Sequence, residues 1–489
     1  MRLQLTRWGV WRFGAASILA FLALVIASAA FRALRHRDTP DPAEALLPRL
    51  PQDAQIQAYF NHAESALYTD PYRQQTRFGD DLEQVVIDAI HQAQTSIDLA
   101  VHELNLPRIA LALRQQHQAG IRIRVIVEHQ YRQAQRPLNP RQIQALDQRE
   151  RRKYQDWMTW VDQNQNGQLE SVELADRDAM TILQAGGVPI QDDTADGSKG
   201  SDLMHHKLLV IDRQTVITGS ANLTWSDIHG DFSTPTSQGN ANHLLKINSA
   251  AVAQQFSQEF NLMWGNGNGK TGRFGLKKPY RPPQQFNLAA DSNLIVQFSP
   301  TSSKQPWSQS VNGLIGRSIQ RSQDSIDFAL FVFSDQQLSN LLETKAQQGV
   351  TIQGLIDPGF AYRYYSEALD LLGLRLADSR CRDEPDNRPW RQPITTVGIP
   401  QLSEGDLLHH KFAVIDDRWV ITGSQNWSEA ANRGNDENLL VIENVTVAAH
   451  FRREFDRLYR SAILGISAPL QAQQAAHQSR CPMPSLTRH

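Results

Sequence analysis

Residues 205–212 read His-His-Lys-Leu-Leu-Val-Ile-Asp, and residues 219–222 read Gly-Ser-Ala-Asn. The same arrangement returns at residues 409–416 as His-His-Lys-Phe-Ala-Val-Ile-Asp and at residues 423–426 as Gly-Ser-Gln-Asn, with every gap unchanged. A single His-His-Lys string on a strand is more often structural than catalytic. Two copies at fixed spacing instead indicate a duplicated half-site.

The duplication extends well beyond the histidine strings. Residues 95–100 (Thr-Ser-Ile-Asp-Leu-Ala) match residues 324–329 (Asp-Ser-Ile-Asp-Phe-Ala), and apolar runs at 120–126 and 349–355 follow at the same offset. Short apolar runs of this kind are typical of buried strands, and the segments between them have apolar residues at helical spacing. The sequence therefore predicts an α/β fold in two similar α/β/α domains.

The chain divides into six predicted segments. Three arginines precede an uncharged apolar stretch at 13–31, which is typical of an export signal or a membrane anchor, and Ala27-Ser28-Ala29 favours cleavage. We therefore expect a protein that is exported or anchored to a membrane. The predicted segments are a signal peptide or anchor at 1–34, a linker at 35–55, a first domain at 56–264, a linker at 265–290, a second domain at 291–464 and a flexible tail at 465–489.

Composition narrows the class of partner. The 49 basic and 51 acidic residues give a net charge of -2, so no general positive field attracts a polyanion. The two cysteines, Cys381 and Cys481, exclude a cysteine-rich metal module. Whether they pair in an oxidising compartment is left open by the sequence.

The spacing within each string suits a phosphate. Residues two apart in a strand face the same side, so His205 with Lys207, and His409 with Lys411, present an imidazole and an ammonium to one surface. Displacement at phosphorus requires a nucleophile and a leaving-group acid on opposite faces, which two half-sites about a pseudo-twofold would supply. Zinc binding is disfavoured because adjacent strand residues point to opposite faces and the lysine would repel a cation.

These strings resemble the signature of the phospholipase D superfamily, His-x-Lys, four residues, Asp, six residues, Gly-Ser-x-Asn. The resemblance covers the chain from about Gln55 to Leu464. It implies two similar α/β/α domains packed about a pseudo-twofold with one shared active-site cleft. It also implies a phosphohistidine intermediate and no metal cofactor required for catalysis.

The resemblance also implies roles for individual residues. His205 and His409 would be the nucleophile and the general acid, and then the base for the attacking water. Contacts with phosphate oxygens would come from Lys207, Lys411, Asn222 and Asn426. The motif aspartates, Asp212 and Asp416, would be partly structural. Ser220 and Ser424 would contact the catalytic residues rather than the substrate.

The two halves differ downstream of the motif. Residues 434–440 include Glu437, at the place where members of the superfamily have a glutamate bonded to the catalytic histidine, whereas the first half has Asn242 there. A carboxylate raises the pKa of a histidine, while a carboxamide only orients the ring. We therefore expect Glu437 to keep His409 protonated as the acid, and His205 to start neutral as the nucleophile.

The first half also carries an insertion at about 141–185. Residues 162–173 fit the twelve-residue EF-hand loop, with oxygen ligands at positions 1, 3 and 5, glycine at position 6 and glutamate at position 12. Apolar stripes are predicted on an entering helix, from Tyr154 to Val161, and on an exiting helix that includes Val172. The sequence predicts a structural or regulatory calcium ion bound by Asp162, Asn164, Asn166, Gln168 and Glu173.

The motifs leave the substrate open. A phospholipid or a membrane surface is the expected partner, because the export segment and the two-motif single chain fit a phospholipid phosphodiesterase. The alternatives are a metal-independent nuclease acting on DNA or RNA, and an inactive calcium-responsive lipid-binding or scaffold protein. Hydrolysis and transfer both remain open. A monomer is expected because one chain carries both half-sites.

Overall fold

The computed structural model describes residues 46–197, 199–267, 271–289 and 291–481. The predicted signal peptide or anchor lies outside these ranges. Within them, no helix is both long enough and apolar enough to cross a bilayer.

The first half is built on a seven-stranded sheet with the order β1-β9-β8-β7-β4-β5-β6. Strands β4, β5 and β6 are parallel, and the others join antiparallel. The strands of this half are β1 (Ile56–Phe60), β2 (Leu67–Thr69), β3 (Thr76–Phe78), β4 (Ser96–Val101), β5 (Arg122–Val127), β6 (Ile190–Asp192), β7 (Lys207–Ile211), β8 (Thr215–Gly219) and β9 (His243–Asn248). The helices are α1 (Leu82–Gln92), α2 (Pro107–Gln118), α3 (Pro140–Ala145), α4 (Gln148–Val161), α5 (Ser171–Arg177), α6 (Ala179–Ala185), α7 (Trp225–Ile228) and α8 (Ala250–Trp264).

The second half repeats this plan on a nine-stranded sheet with the order β10-β11-β19-β17-β16-β12-β14-β15-β20. Its strands are β10 (Gln284–Ala289), β11 (Ser292–Phe298), β12 (Ser325–Leu330), β13 (Phe333–Ser334), β14 (Thr351–Ile356), β15 (Val397–Ile399), β16 (Lys411–Ile415), β17 (Trp419–Gly423), β18 (Trp427–Ser428), β19 (Asn438–Glu443) and β20 (Ile463–Leu464). The helices are α9 (Val311–Gln320), α10 (Gln336–Gln347), α11 (Glu367–Leu371), α12 (Glu429–Arg433), α13 (Val445–Tyr459) and α14 (Ala468–Arg480).

Each sheet is covered on both faces because its central strands are apolar throughout. In the first half, α1 and α2 pack on the outer face, and in the second half α9 and α10 do so. The inner faces share one core that takes Phe256 and Phe260 of α8 together with Phe451 and Phe455 of α13. The predicted fold class, two α/β/α halves, is confirmed.

The halves are joined by matching backbone hydrogen bonds beside each His-His-Lys string. The His205 amide donates to the Asp436 carbonyl at 3.0 Å, and the Asp436 amide donates to the Leu203 carbonyl at 2.8 Å. In the same way, the His409 amide donates to the Ala241 carbonyl at 3.1 Å. The segment before each histidine is thus held by the downstream segment of the other half, as a pseudo-twofold requires.

Two segments differ from the expected linker and tail. Within residues 265–290, strand β10 joins the second sheet. The ammonium group of Lys278 is buried in the same segment and forms ion pairs with Glu259 and Asp436, which offset the cost of burying its charge. Residues 465–481 include helix α14, and a disulfide joins Cys481 to Cys381. The described parts of both segments therefore contain ordered structure where a linker and a flexible tail were predicted.

Candidate active site

The two motif histidines come together in one cleft between the halves. His205 and His409 lie just before β7 and β16, and both line a cleft of about 730 Å³. Two carboxylates fix the residue that precedes each histidine: Glu128 accepts from the Met204 amide at 2.7 Å, and Asp357 accepts from the Leu408 amide at 2.9 Å. The two carboxylates hold equivalent positions, since Glu128 follows β5 in the first half and Asp357 follows β14 in the second.

Glu437 contacts the histidine of the other half. Its Oε2 lies 2.9 Å from Nδ1 of His205, and Asn242 Oδ1 lies 3.0 Å from Nδ1 of His409. The expectation that Glu437 pairs with His409 was therefore wrong. The reason is the crossed backbone pairing, which places residues 434–436 beside His205 and residues 240–241 beside His409.

The amide of Asn242 has a fixed orientation. Its Oδ1 accepts from the Ser220 hydroxyl at 2.7 Å, and its Nδ2 donates to the Asp227 carbonyl at 3.0 Å. The oxygen therefore faces His409, so Nδ1 of His409 carries the hydrogen and Nε2 is left for the substrate.

Asp227 is a residue that the motif comparison missed. Its Oδ2 accepts from the Asn222 amide at 2.7 Å and lies 3.8 Å from Nδ1 of His409. The Asp227 carboxylate therefore lies near His409, but farther from its Nδ1 than the Asn242 oxygen that takes the place of a glutamate. No sequence signal identified it, because Asp227 falls in a part of the first half that is longer than its counterpart.

Burial controls the charges of the site. Burial, together with Lys207 and Lys411, lowers the pKa of His205 well below its usual value, and burial with the same two lysines does so for His409. Burial also raises the pKa of Glu437 to about 7 and lowers that of Lys207 to about 8. An incoming phosphate would restore the cationic forms, because its negative charge offsets the mutual repulsion of these groups.

The lysines and asparagines of the motifs hold equivalent positions in the two halves. The Lys207 ammonium donates to the His205 carbonyl at 3.1 Å, and the Lys411 ammonium donates to the His409 carbonyl at 2.6 Å. Among the described residues, the buried amide oxygens of Asn222 and Asn426 find no hydrogen-bond donor. These oxygens are acceptors and cannot bind an anionic phosphate oxygen, so a contact of either asparagine with phosphate would come from its Nδ2 group. Ser220 and Ser424 accept from the amides of His243 and Asn438.

Asp212 and Asp416 lie at the far end of the motif strand. Asp212 accepts from the amides of residues 94, 95 and 96 at 2.7 to 2.8 Å, and Asp416 accepts from those of residues 323, 324 and 325 at 2.8 to 2.9 Å. Each aspartate follows its lysine by five positions along the strand, roughly 16 Å of chain. The two aspartates thus anchor the loops that enter β4 and β12, in keeping with the partly structural role that the resemblance implies.

Each histidine has a different aromatic neighbour. The His102 ring lies 5.1 Å from that of His205, whereas the Phe331 ring lies 4.9 Å from that of His409. Burial strongly lowers the pKa of His102, which keeps it neutral. Both residues follow the first parallel strand of their half, and neither was singled out from the sequence.

The insertion forms one wall of the cleft. Helix α4 contributes Arg149, Lys153 and Tyr154 to the lining and ends at Asp162, the first position of the predicted calcium loop. The loop has the left-handed backbone that this motif needs at Gln165 (φ 56°) and Gly167 (φ 74°). The prediction of one apolar helix after the loop was wrong in part. The chain forms two helices, α5 and α6, which meet at Asp178, and Val172 is 70% exposed.

The five predicted calcium ligands lie on or beneath this loop. Asp162 Oδ2 accepts from the Gly167 amide at 2.9 Å, and the amide oxygens of Asn164 and Asn166 accept from the amides of Asn166 and Gln168. Glu173 is buried and accepts from the Gln163 amide at 2.9 Å. The calcium site stays a prediction.

Comparison with known proteins places the motifs in a family context. The family described as cardiolipin synthase, phospholipase D-like domain, matches residues 86–264 and 315–459. Mitochondrial cardiolipin hydrolase of Mus musculus is 28% identical over 156 residues, covering 32% of this chain and 60% of that protein. The Xenopus laevis protein of the same name is 35% identical over 109 residues, covering 20% of this chain and 51% of that protein.

A solved structure shares the whole architecture. Phosphatidylserine synthase of Haemophilus influenzae Rd KW20 superposes with a TM-score of 0.52 at 13% identity, covering 90% of this chain and 96% of that one. At this identity the likeness concerns the fold. The two-half arrangement is therefore one that a solved protein also adopts.

Proposed function

We propose that this chain, which belongs to the phospholipase D superfamily, hydrolyses a phospholipid phosphodiester. The reaction would pass through a phosphohistidine at His205. The observation that carries this proposal is the crossed pairing of the two histidines with unlike partners in one cleft. A carboxylate behind His205 and a carboxamide behind His409 support different roles for two otherwise equivalent rings.

The first step needs a nucleophile that becomes positively charged. Nε2 of His205 attacks phosphorus, and the P–O bond to the alcohol breaks as the P–N bond forms. Glu437 stabilises the imidazolium that results, as a buried carboxylate does for the histidine of a catalytic triad. His409 donates the Nε2 proton to the leaving alkoxide, and its neutral partner Asn242 leaves it the more acidic of the two rings.

The second step reverses the proton transfer. Neutral His409 takes a proton from water, the water oxygen attacks phosphorus, and the P–N bond to His205 breaks. Lys207 and Lys411, with the amides of Asn222 and Asn426, would bind the phosphate oxygens and stabilise their charge in both steps. Since these ammonium and amide groups supply the positive potential, we expect the reaction to proceed without a metal cofactor.

The lining of the cleft favours a lipid over a nucleic acid. Its apolar side chains include Leu104, Leu138, Leu146, Met180, Phe331 and Phe360. The net charge of -2 gives no general attraction for a polynucleotide. The Mus musculus and Xenopus laevis relatives carry the name mitochondrial cardiolipin hydrolase. A metal-independent nuclease is the second candidate, because the same site chemistry would cleave any accessible phosphodiester.

We also propose that the protein works outside the reducing cytoplasm. The disulfide between Cys381 and Cys481 supports this, because disulfides persist in oxidising compartments. The apolar stretch at 13–31 would direct export or anchor the chain. A membrane location would bring the cleft to its proposed substrate. Since one chain supplies both half-sites, we propose a monomer.

The test compares two substrates on the full-length protein. Phosphatidylglycerol in mixed micelles and single-stranded DNA would be assayed in parallel with EDTA present, together with His205→Asn and His409→Asn. We expect lipid hydrolysis that resists EDTA, is lost in both variants and leaves phosphate on His205 after rapid quenching. DNA cleavage alone would favour the nuclease, phosphate trapped on His409 would reverse the roles, and no cleavage of either substrate would contradict the proposal.

A further inference from the structure

Two neighbouring parallel strands of the first half end in a group of side chains that can bind a metal ion. Glu128 and His129 follow β5, and Asp193 follows β6. One ligand atom of each residue lies within 4.8 Å of the other two. All three residues lie outside the lining of the catalytic cleft. The group is therefore separate from the site that contains His205 and His409.

The two carboxylates of this group are buried without a permanent cation beside them. Glu128 and Asp193 are fully buried, whereas the His129 side chain is 39% exposed. Across the described ranges, neither carboxylate forms an ion pair with a lysine or an arginine, and each has His129 as its ion-pair partner. Buried negative charges are costly unless positive charge or hydrogen-bond donors surround them.

The His129 ring cannot satisfy both carboxylates. Its Nδ1 lies 3.2 Å from Oδ1 of Asp193, in hydrogen-bond geometry, and 2.6 Å from Oε1 of Glu128. A ring nitrogen carries one hydrogen at most. Within the described part of the chain, the buried Oε1 of Glu128 accepts no hydrogen bond. This oxygen therefore points into the group without a donor of its own, which is uncommon for a buried charged atom.

The equivalent carboxylate of the second half is fully engaged by the backbone. Asp357 follows β14 as Glu128 follows β5, and its two oxygens accept from the amides of Gly359 at 2.8 Å and Leu408 at 2.9 Å. In Glu128, the corresponding pair of oxygens is divided. Oε2 accepts from the Met204 amide at 2.7 Å, and Oε1 is left facing His129.

A second group of side chains shows what a charge-balanced arrangement looks like. Asp81, Glu83 and His229 also bring three ligand atoms within 4.8 Å of one another. Glu83, however, pairs with the Arg108 guanidinium at 3.1 Å and accepts from the Tyr72 hydroxyl at 2.6 Å. The arginine balances the charge of that group and would repel a metal ion.

We propose that Glu128, His129 and Asp193 bind a divalent metal ion, for which zinc is the best match. Zinc takes imidazole nitrogen and carboxylate oxygen ligands at bond lengths of about 2.0–2.2 Å. Nδ1 of His129 would coordinate through its lone pair, with the ring hydrogen on Nε2. Tetrahedral bonds of this length place ligand atoms about 3.4 Å apart, so the partly exposed ring need move outward only slightly. Water would complete the coordination.

The ion would stabilise the segment that leads to the first catalytic histidine. Oδ2 of Asp193 accepts from the Ser201 amide at 3.1 Å, and Oε2 of Glu128 accepts from the Met204 amide, which immediately precedes His205. An ion between the two carboxylates would therefore join the ends of β5 and β6 to residues 201–204. It would not contact the substrate, so the site is compatible with a reaction that needs no metal.

The test measures zinc binding by the full-length protein, purified without a histidine tag and freed of metal with EDTA. Millimolar calcium is kept present so that the predicted loop at 162–173 does not contribute. Calorimetry should show one zinc ion per chain. His129→Gln should weaken binding by about 100-fold or more, since loss of even an outer-shell partner costs about 10–100-fold. Glu128→Gln, which keeps an oxygen for the Met204 amide, should weaken it comparably.

His91→Gln provides the matched control. His91 is exposed in the last turn of α1, outside this group, so the variant should keep the wild-type zinc affinity. Anomalous diffraction from wild-type crystals grown with zinc is a second measurement that does not depend on the folding of a variant. It should place the ion about 2.0–2.2 Å from Nδ1 of His129.

Three results would overturn this inference. They are no zinc binding by the wild type, equal zinc affinity in His129→Gln and the wild type, and an anomalous peak away from His129. None of them bears on lipid hydrolysis, which is assayed separately, so the proposed function and this metal site stand or fall independently.

Discussion

The two halves of the molecule have the same backbone around the catalytic histidine but different side chains behind it. His205 faces Glu437 at 2.9 Å and lies beside His102. His409 faces Asn242 at 3.0 Å and lies beside Phe331. The duplicated strings place two equivalent rings in the cleft, and in the proposed mechanism the change of partner from carboxylate to carboxamide makes one the nucleophile and the other the acid.

Along the motif strands, the two halves differ at the end that faces the cleft. At the opposite end of the motif strand, Asp212 and Asp416 make matching sets of hydrogen bonds to backbone amides. The two halves are therefore equivalent at that end of the strand. In the proposed mechanism they differ where the substrate would meet Nε2 of each ring.

The largest expected effect is on activity when either histidine is replaced, and the two replacements should differ in how activity depends on the leaving group. His205→Ala should lose activity on every diester, by about 10³-fold or more, because no nucleophile remains. His409→Ala should be equally impaired on an alkyl diester, yet recover most of its first step with a p-nitrophenyl ester, since nitrophenolate departs without a proton. Burst kinetics measure that step. Equal recovery in both variants would contradict distinct roles.

The next effect concerns the partners of the histidines. Glu437→Gln should lower kcat by about 10²-fold, because the imidazolium formed on His205 loses its counter-charge. Burial raises the pKa of Glu437 to about 7, so the wild-type rate should fall as the pH drops through that value and the carboxylate is protonated. The variant should lack this acidic limb.

Asn242→Asp is the control for this prediction. It places a carboxylate behind His409, which should raise the pKa of that ring and weaken it as an acid without removing the limb due to Glu437. A pH–rate profile of kcat/KM compares the three proteins, because this ratio reports the pKa values of the free enzyme. An acidic limb retained by Glu437→Gln would show that another group titrates.

Much of this arrangement was predictable from the duplicated strings, and the exceptions have a common cause. The repeat indicated the two α/β/α halves, and it singled out His205, His409 and Asn222, which line the cleft. It could not show the crossed pairing of Glu437 with His205, because the contact depends on how one half docks on the other. Asp227, His102 and Phe331 were missed for the same reason: each lies outside the repeated string and reaches the site only through tertiary packing.

A smaller effect is expected where the halves are equivalent. Asp212→Asn and Asp416→Asn should each reduce the free energy of unfolding by about 1–2 kcal/mol, because a charged acceptor of several backbone amides becomes neutral. Asparagine tolerates the left-handed backbone at both positions (φ 51° and 52°), so the change tests the charge rather than the turn. Chemical unfolding measures the loss. A kcat reduced 10²-fold in a folded Asp416→Asn protein would restore a catalytic role to the motif aspartate.

The smallest effect concerns the insertion that only the first half carries. Calcium should bind the loop at 162–173 with a dissociation constant of about 10⁻⁴–10⁻³ M, because neutral Asn164 and Asn166 reduce the ligand charge. Titration calorimetry measures this, with Glu173→Gln expected to abolish the heat and the exposed Asp176→Asn to keep it. Since α4 connects the loop to the cleft wall that bears Arg149, saturation with calcium should change kcat/KM by less than about tenfold, well below the effect of either histidine partner. If no heat of calcium binding were detected at millimolar concentration, the predicted calcium site would be contradicted, and the insertion would serve only to line the cleft.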